Sequence, residues 1–152
     1  MRELAGKHVV VMGLGRFGGG IAVARWLIEQ GATVTVTDLA SADKLAESMN
    51  QLEGLDITFH LGGHDERDLD QCDLLVVSPA VPKERSDFVQ KAVARGIPLS
   101  SEMNLFIEHC PARRIAGITG SAGKSTTTAM LGNILQAAEK TGEVPQAWIG
   151  GN

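Results

Sequence analysis

Short β-branched runs alternate with amphipathic segments over residues 1–110. Residues 7–12 are a short β-branched run that ends at a glycine cluster, and they predict a buried strand. Residues 18–30 put Ile21, Ala24, Leu27 and Ile28 on one helical face, and Gly31 stops the helix. Residues 33–37 predict a second strand, and Ser41 a capped helix through about residue 50. Residues 57–60 predict a third strand before Gly62-Gly63, and 65–70 a helical turn. Residues 74–78 are apolar on both faces, as in a strand inside a parallel sheet. Ser86 caps a predicted helix to Arg95, Gly96 ends it, 97–99 start a fifth strand, and 102–109 predict a short helix.

This alternation predicts an α/β fold, a parallel sheet with helices on both faces. Cys110-Pro111-Ala112 interrupts it. Residues 114–119 then predict a new strand, followed by a glycine loop, a long helix over 124–140 and a strand at 147–149. The expected organisation is one domain over 1–110 and the beginning of a second over 111–152. A strand–loop–helix–strand unit of about 40 residues cannot bury both faces of a sheet. The chain is therefore expected to be the N-terminal part of a longer protein. Its unpaired sheet edge would invite a second copy, whereas the full-length protein is expected to be a monomer. The competing arrangement is a complete single domain whose sheet absorbs the last two strands.

Composition narrows the function classes. Fourteen basic and 18 acidic side chains leave a net charge of −4, and Tyr is absent. Neither the basic excess nor the aromatic platforms of a nucleic-acid binder are present. No membrane-length apolar stretch and no secretory leader is seen, so a cytoplasmic location is expected. Cys72 and Cys110 make no disulfide or metal framework and read as small buried hydrophobes. His8, His60, His64 and His109 lack zinc-ligand spacing, and the acidic stretch from Asp65 to Asp73 reads as a solvated face. Residues 1–110 carry a charge of −6 and residues 111–152 a charge of +2. Thirteen of the 18 glycines fall in four clusters, which marks sharp turns or close approaches rather than a linker.

Two of those clusters have phosphate-binding chemistry. Gly13-Leu14-Gly15-Arg16-Phe17-Gly18 is a G-x-G-x-x-G between strand and helix. Such glycines allow a tight turn and close approach to a diphosphate, and the helix N-terminus offers free N–H groups to the anion. Asp38, twenty residues after Gly18, ends the second strand where a carboxylate can meet a ribose hydroxyl. The second loop, Thr119-Gly120-Ser121-Ala122-Gly123-Lys124-Ser125, opens the long helix. Its amides can form a nest, Lys124 can neutralise β/γ-phosphate charge, and the Ser125 hydroxyl can reach Mg²⁺. Ile118 stands where the strict G-x-x-x-x-G-K-[ST] spacing requires glycine. A dinucleotide oxidoreductase needs only the first loop and a simple NTPase only the second. Both together suggest ATP acting on a second phosphorylated substrate. An NAD-binding regulatory or oxidoreductase domain and a non-catalytic nucleotide sensor are the competing classes. Ser78-Pro79 ends the fourth strand and serves equally as a crevice lining or a rigid turn.

These residues resemble the Mur ligases of peptidoglycan synthesis over essentially the whole chain. The resemblance rests on Gly13-Leu-Gly-x-x-Gly, Val36-Thr37-Asp38, Ser78-Pro79, Ala92 to Ile97, Ser101-Glu102-x-Asn104-Leu105-Phe106, Thr119 to Ser125 and Gly150-Gly151-Asn152. It implies a Rossmann-like UDP-substrate domain followed by the start of a P-loop ATPase domain. It also implies ATP-dependent ligation of D-glutamate to UDP-N-acetylmuramoyl-L-alanine through an acyl phosphate, with ATP and Mg²⁺ required and no ligase activity expected of residues 1–152 alone. The resemblance puts Gly13, Gly15, Arg16, Phe17, Gly18, Asp38, Leu39, Ser78 and Asn152 against the UDP substrate. It puts Thr119, Gly120, Ser121, Ala122, Gly123, Lys124, Ser125 and Thr126 around ATP. Lys124 is the expected catalytic residue and Ser125 the expected metal ligand. Phe17, Leu39, Ala80 and Ala122 depart from the family's usual Thr, polar residue, Gly and Asn.

Overall fold

The computed structural model describes residues 3–15 and 18–150. The chain divides into two compact units, Met1–Cys110 and Pro111–Asn152.

In the first unit five parallel strands form one sheet: β1 (His8–Met12), β2 (Thr33–Asp38), β3 (Ile57–Leu61), β4 (Leu74–Val77) and β5 (Leu99–Ser100). Their order is β3-β2-β1-β4-β5. Side chains alternate between faces along a strand, and the two cores follow from that. Val9, Val11, Val34, Val36, Leu74 and Val76 join α1 (Gly19–Glu29), α2 (Ala42–Asn50) and α4 (Glu102–His109) on one face. Val10, Met12, Leu75 and Val77 meet α3 (Asp87–Ala94) through Phe88, Val89 and Ala92 on the other. Burial on both faces is why residues 9–12 of β1 and all of β4 are continuous apolar runs. The fifth strand begins later than expected because Pro98 has no N–H. Its carbonyl accepts from Leu75 N, and the strand proper follows.

Successive strands run outward from β1 to β3, then restart at β4 on the other side of β1. The carboxyl ends of β1 and β4 therefore flank the point where strand order reverses, where open α/β sheets hold ligands.

The second unit is built around α5 (Lys124–Lys140), seventeen residues long. The expected strands at 114–119 and 147–149 are not formed. A β-branched run marks a segment that suits a pleated, half-buried surface, but only ladder bonds to a neighbour make it a strand. No ladder reaches either segment among the described residues, and Ile115 and Trp148 are exposed. Ile149 instead lies against Gly132 of α5.

Candidate functional site

β1 ends at Gly13, whose N–H donates to Thr37 O at 2.8 Å. Gly13 has φ +94°, and a Cβ there would stand 2.8 Å from the Ser78 Cβ at the end of β4. The first turn of α1 presses on the same loop: a Cβ on Gly20 would lie 2.5 Å from Leu14 O and 2.6 Å from Gly13 O. The glycine that permits close packing of helix on loop is thus Gly20, two residues beyond the one the fingerprint counts. Gly18, at φ +89°, is the left-handed residue that turns the chain into the helix. Gly13, Gly20, Ser78 and the Glu102 side chain line one small cavity at the reversal of strand order.

Asp38 holds this loop from β2. Its Oδ2 accepts from Leu14 N at 2.9 Å and Gly15 N at 3.3 Å, and its Oδ1 accepts from Ala40 N at 2.8 Å. Both oxygens are engaged with backbone, so the carboxylate's first task is to shape the loop. Leu39 beside it is 72% exposed. Ser48 of α2, buried, donates to Gly15 O at 2.9 Å.

Helix starts separate the two glycine loops from the rest of the chain. Ser86 and Ser101 cap α3 and α4, their hydroxyls accepting from Val89 N and Asn104 N at 3.4 and 3.2 Å. Ser41 takes the corresponding position before α2, but its hydroxyl accepts no cap bond. Asp43, an acid in that first turn, answers the helix dipole instead. α1 and α5 have neither device: each opens on a left-handed glycine, Gly18 or Gly123, without a side-chain cap or an acid in the first turn. Their first N–H groups have no cap from within the helix and are open to an anion, although at α1 the Glu102 carboxylate stands beside Gly19.

In the second unit Gly123 has φ +77°, and Lys124 curls over the loop to donate from Nζ to Gly120 O at 2.7 Å. That keeps the ammonium at the helix mouth. Ser125 Oγ makes no hydrogen bond among the described residues. Uncapped amides, a poised ammonium and an open hydroxyl suit a polyphosphate with a divalent cation.

Three of the histidines, His8, His60 and His64, have local hydrogen-bond partners. His8 Nε2 lies 2.9 Å from Thr35 Oγ1, and His64 Nδ1 lies 2.8 Å from Thr37 Oγ1. Burial holds the His64 imidazole below its ordinary pKa of 6.5, against the pull of Asp38 and Asp68. The acidic stretch is not uniformly solvated. Asp68 is buried, with Oδ1 at 2.6 Å from His60 Nδ1, because the 3-10 turn Glu66–Leu69 rolls it inward beside Leu69. Arg67 lowers the half-buried Asp65 carboxyl to about 2. Burial raises the Cys72 thiol, which fits a packing role.

Residues 7–101 match the family model for the N-terminal domain of MurD-like Mur ligases. The chain belongs to this Mur ligase family. Among curated relatives, the UDP-N-acetylmuramoylalanine–D-glutamate ligase of Roseiflexus sp. (strain RS-1) is 45% identical over 150 residues, covering 99% of this chain and 31% of that protein. The ligase of the same name from Trichlorobacter lovleyi is 44% identical over 135 residues, covering 89% and 29%. The chain thus spans about a third of the length of these relatives. Among solved structures, a pseudomurein peptide ligase type C from Methanothermus fervidus aligns with a TM-score of 0.51 at 28% identity, covering 87% of this chain and 26% of that one. A UDP-N-acetylmuramate-alanine ligase from Thermotoga maritima shares the fold, with a TM-score of 0.54 at 24% identity over 88% and 30%.

For this Mur ligase chain, Gly13, Gly15, Gly18, Asp38, Leu39 and Ser78 all lie in the first unit, at or beside the carboxyl ends of β1, β2 and β4. Residues 119–126 form the loop and first turn of α5 in the second. Arg16, Phe17 and Asn152 lie outside the described residues. Gly20 and Ser48 were not singled out from sequence. Gly20 sits inside a glycine run, and a helical serine carries no signal unless its burial is known.

Proposed function

We propose that this chain supplies the UDP-substrate domain and the start of the ATP domain of a ligase that joins D-glutamate to UDP-N-acetylmuramoyl-L-alanine. The observation that carries this reading is the pair of uncapped helix N-termini behind glycine loops, one in each unit, in a member of the Mur ligase family.

In the first unit the loop held by Asp38 and the free amides of α1 receive the UDP diphosphate. Gly13, Gly15, Arg16, Phe17, Gly18 and Ser78 contribute there, Leu39 lies against the base, and Asn152 contacts the sugar-peptide. In the second, Thr119, Gly120, Ser121, Ala122, Gly123 and Thr126 wrap the ATP phosphates. Lys124 leaves the Gly120 carbonyl to neutralise the γ-phosphoryl as it moves. Charge neutralisation and alignment are the main demands of phosphoryl transfer. Ser125 offers its hydroxyl to Mg²⁺, which supplies further charge neutralisation when bound. The alanyl carboxylate takes the γ-phosphoryl and ADP leaves. The D-glutamate amine then attacks that carbonyl, expels phosphate and loses a proton, forming the amide. No helix among the described residues is long and apolar enough to cross a membrane. The reading places the enzyme in the cytoplasm, as a monomer.

Calorimetry on the full-length protein tests this. Binding of UDP-N-acetylmuramoyl-L-alanine without NADH binding is the expected result. Tight NADH binding with no heat from the UDP substrate would reverse the assignment.

A further inference from the structure

We propose that Ser48 is a positioning residue for the diphosphate loop; this rests on the UDP-substrate reading above. Ser48 lies in α2, in a part of the fold that carries no other candidate chemistry. It is 4% exposed, one of the few buried polar residues of the first unit. A buried hydroxyl without a partner is costly, and the partner here is the Gly15 carbonyl, at 2.9 Å. The Gly15 N–H is held by Asp38 Oδ2 on the β2 side. One residue of the loop is therefore gripped at its donor by β2 and at its acceptor by α2.

Gly15, at φ +64°, has no side chain to restrain its peptides. Its carbonyl oxygen carries partial negative charge, and turned toward a diphosphate it would repel the ligand. Ser48 keeps that oxygen directed into α2. The Gly15 carbonyl is then already turned away when the anion arrives, and the cost of ordering it is not charged against binding. Ser48 touches no ligand and acts only through Gly15.

The test uses the full-length protein. Ser48→Ala is expected to raise KM for UDP-N-acetylmuramoyl-L-alanine by about three- to tenfold, the worth of one neutral hydrogen bond. Its kcat and the KM values for ATP and D-glutamate stay at wild type. Leu45→Ala, on the same helix and equally buried, serves as the control: it lowers Tm but leaves the UDP-substrate KM in place. An unchanged UDP-substrate KM in Ser48→Ala overturns the proposal. So does a rise in all three KM values that Leu45→Ala reproduces, which would make Ser48 merely structural. A wild type that fails to bind the UDP substrate by calorimetry overturns the reading beneath, and the proposal falls with it. A wild type that binds, with Ser48→Ala binding equally well, overturns the proposal alone.

Discussion

Gly13 and Ser78 close the sheet at the reversal of strand order, and there is no room for a methyl group between them. A Cβ on Gly13 would stand 2.8 Å from that of Ser78. Gly13→Ala therefore meets two costs. The left-handed backbone, at φ +94°, costs a non-glycine residue about 1–3 kcal/mol. The overlap adds an overpacking cost of about 1–3 kcal/mol. Urea unfolding should show a loss of about 2–6 kcal/mol, the two costs together. Ser78→Gly in the same background should recover the overlap but not the backbone strain. A Gly13→Ala protein as stable as wild type would contradict the close approach.

Glu102 brings a negative charge to the place where the diphosphate is expected. Its carboxylate packs against Gly19 at the N-terminus of α1 and forms no ion pair among the described residues. A resident anion at a helix N-terminus competes with an incoming one, and such dipole interactions are worth roughly 0.3–1 kcal/mol. Glu102→Gln should tighten UDP-substrate binding about two- to fivefold by that measure, and the gain should shrink in high salt. Weaker binding in calorimetry would show that the carboxylate assists the ligand instead.

His64 predicts a pH dependence of stability. Its folded pKa lies below the ordinary 6.5 because burial disfavours the charged ring. As pH falls through 6.5 the unfolded chain takes up the proton first, so folding is progressively penalised. The contribution is complete above pH 6.5 and declines below it. His64→Asn leaves an amide to face Thr37 without the titrating ring, and should remove this component from urea midpoints measured between pH 7.5 and 5.5. An unaltered slope would contradict the assignment.

The sheet was legible because strand segments buried on both faces must be apolar, and residues 9–12 of β1 and all of β4 are. The first loop was legible because few physical purposes put three spaced glycines between a strand and a helix. Asp38 was found by its spacing, but its grip on Leu14 and Gly15 was not, since a one-dimensional offset cannot say which neighbour a carboxylate will meet. Asp68 and Ser48 were missed for the converse reason: polar residues in amphipathic stretches read as solvent-facing until the fold turns them inward. The segment 114–119 has a strand's composition, but a strand also needs a partner, which composition does not contain.

The central claim is that two separate anion cradles serve different nucleotides. The most direct measurement is UDP-substrate affinity and ATP-dependent phosphate release in full-length Lys124→Ala, compared side by side with wild type. The account predicts that phosphate release is lost while UDP-N-acetylmuramoyl-L-alanine binds as in wild type. Joint loss of both in a folded protein, or phosphate release that continues undiminished, would contradict it.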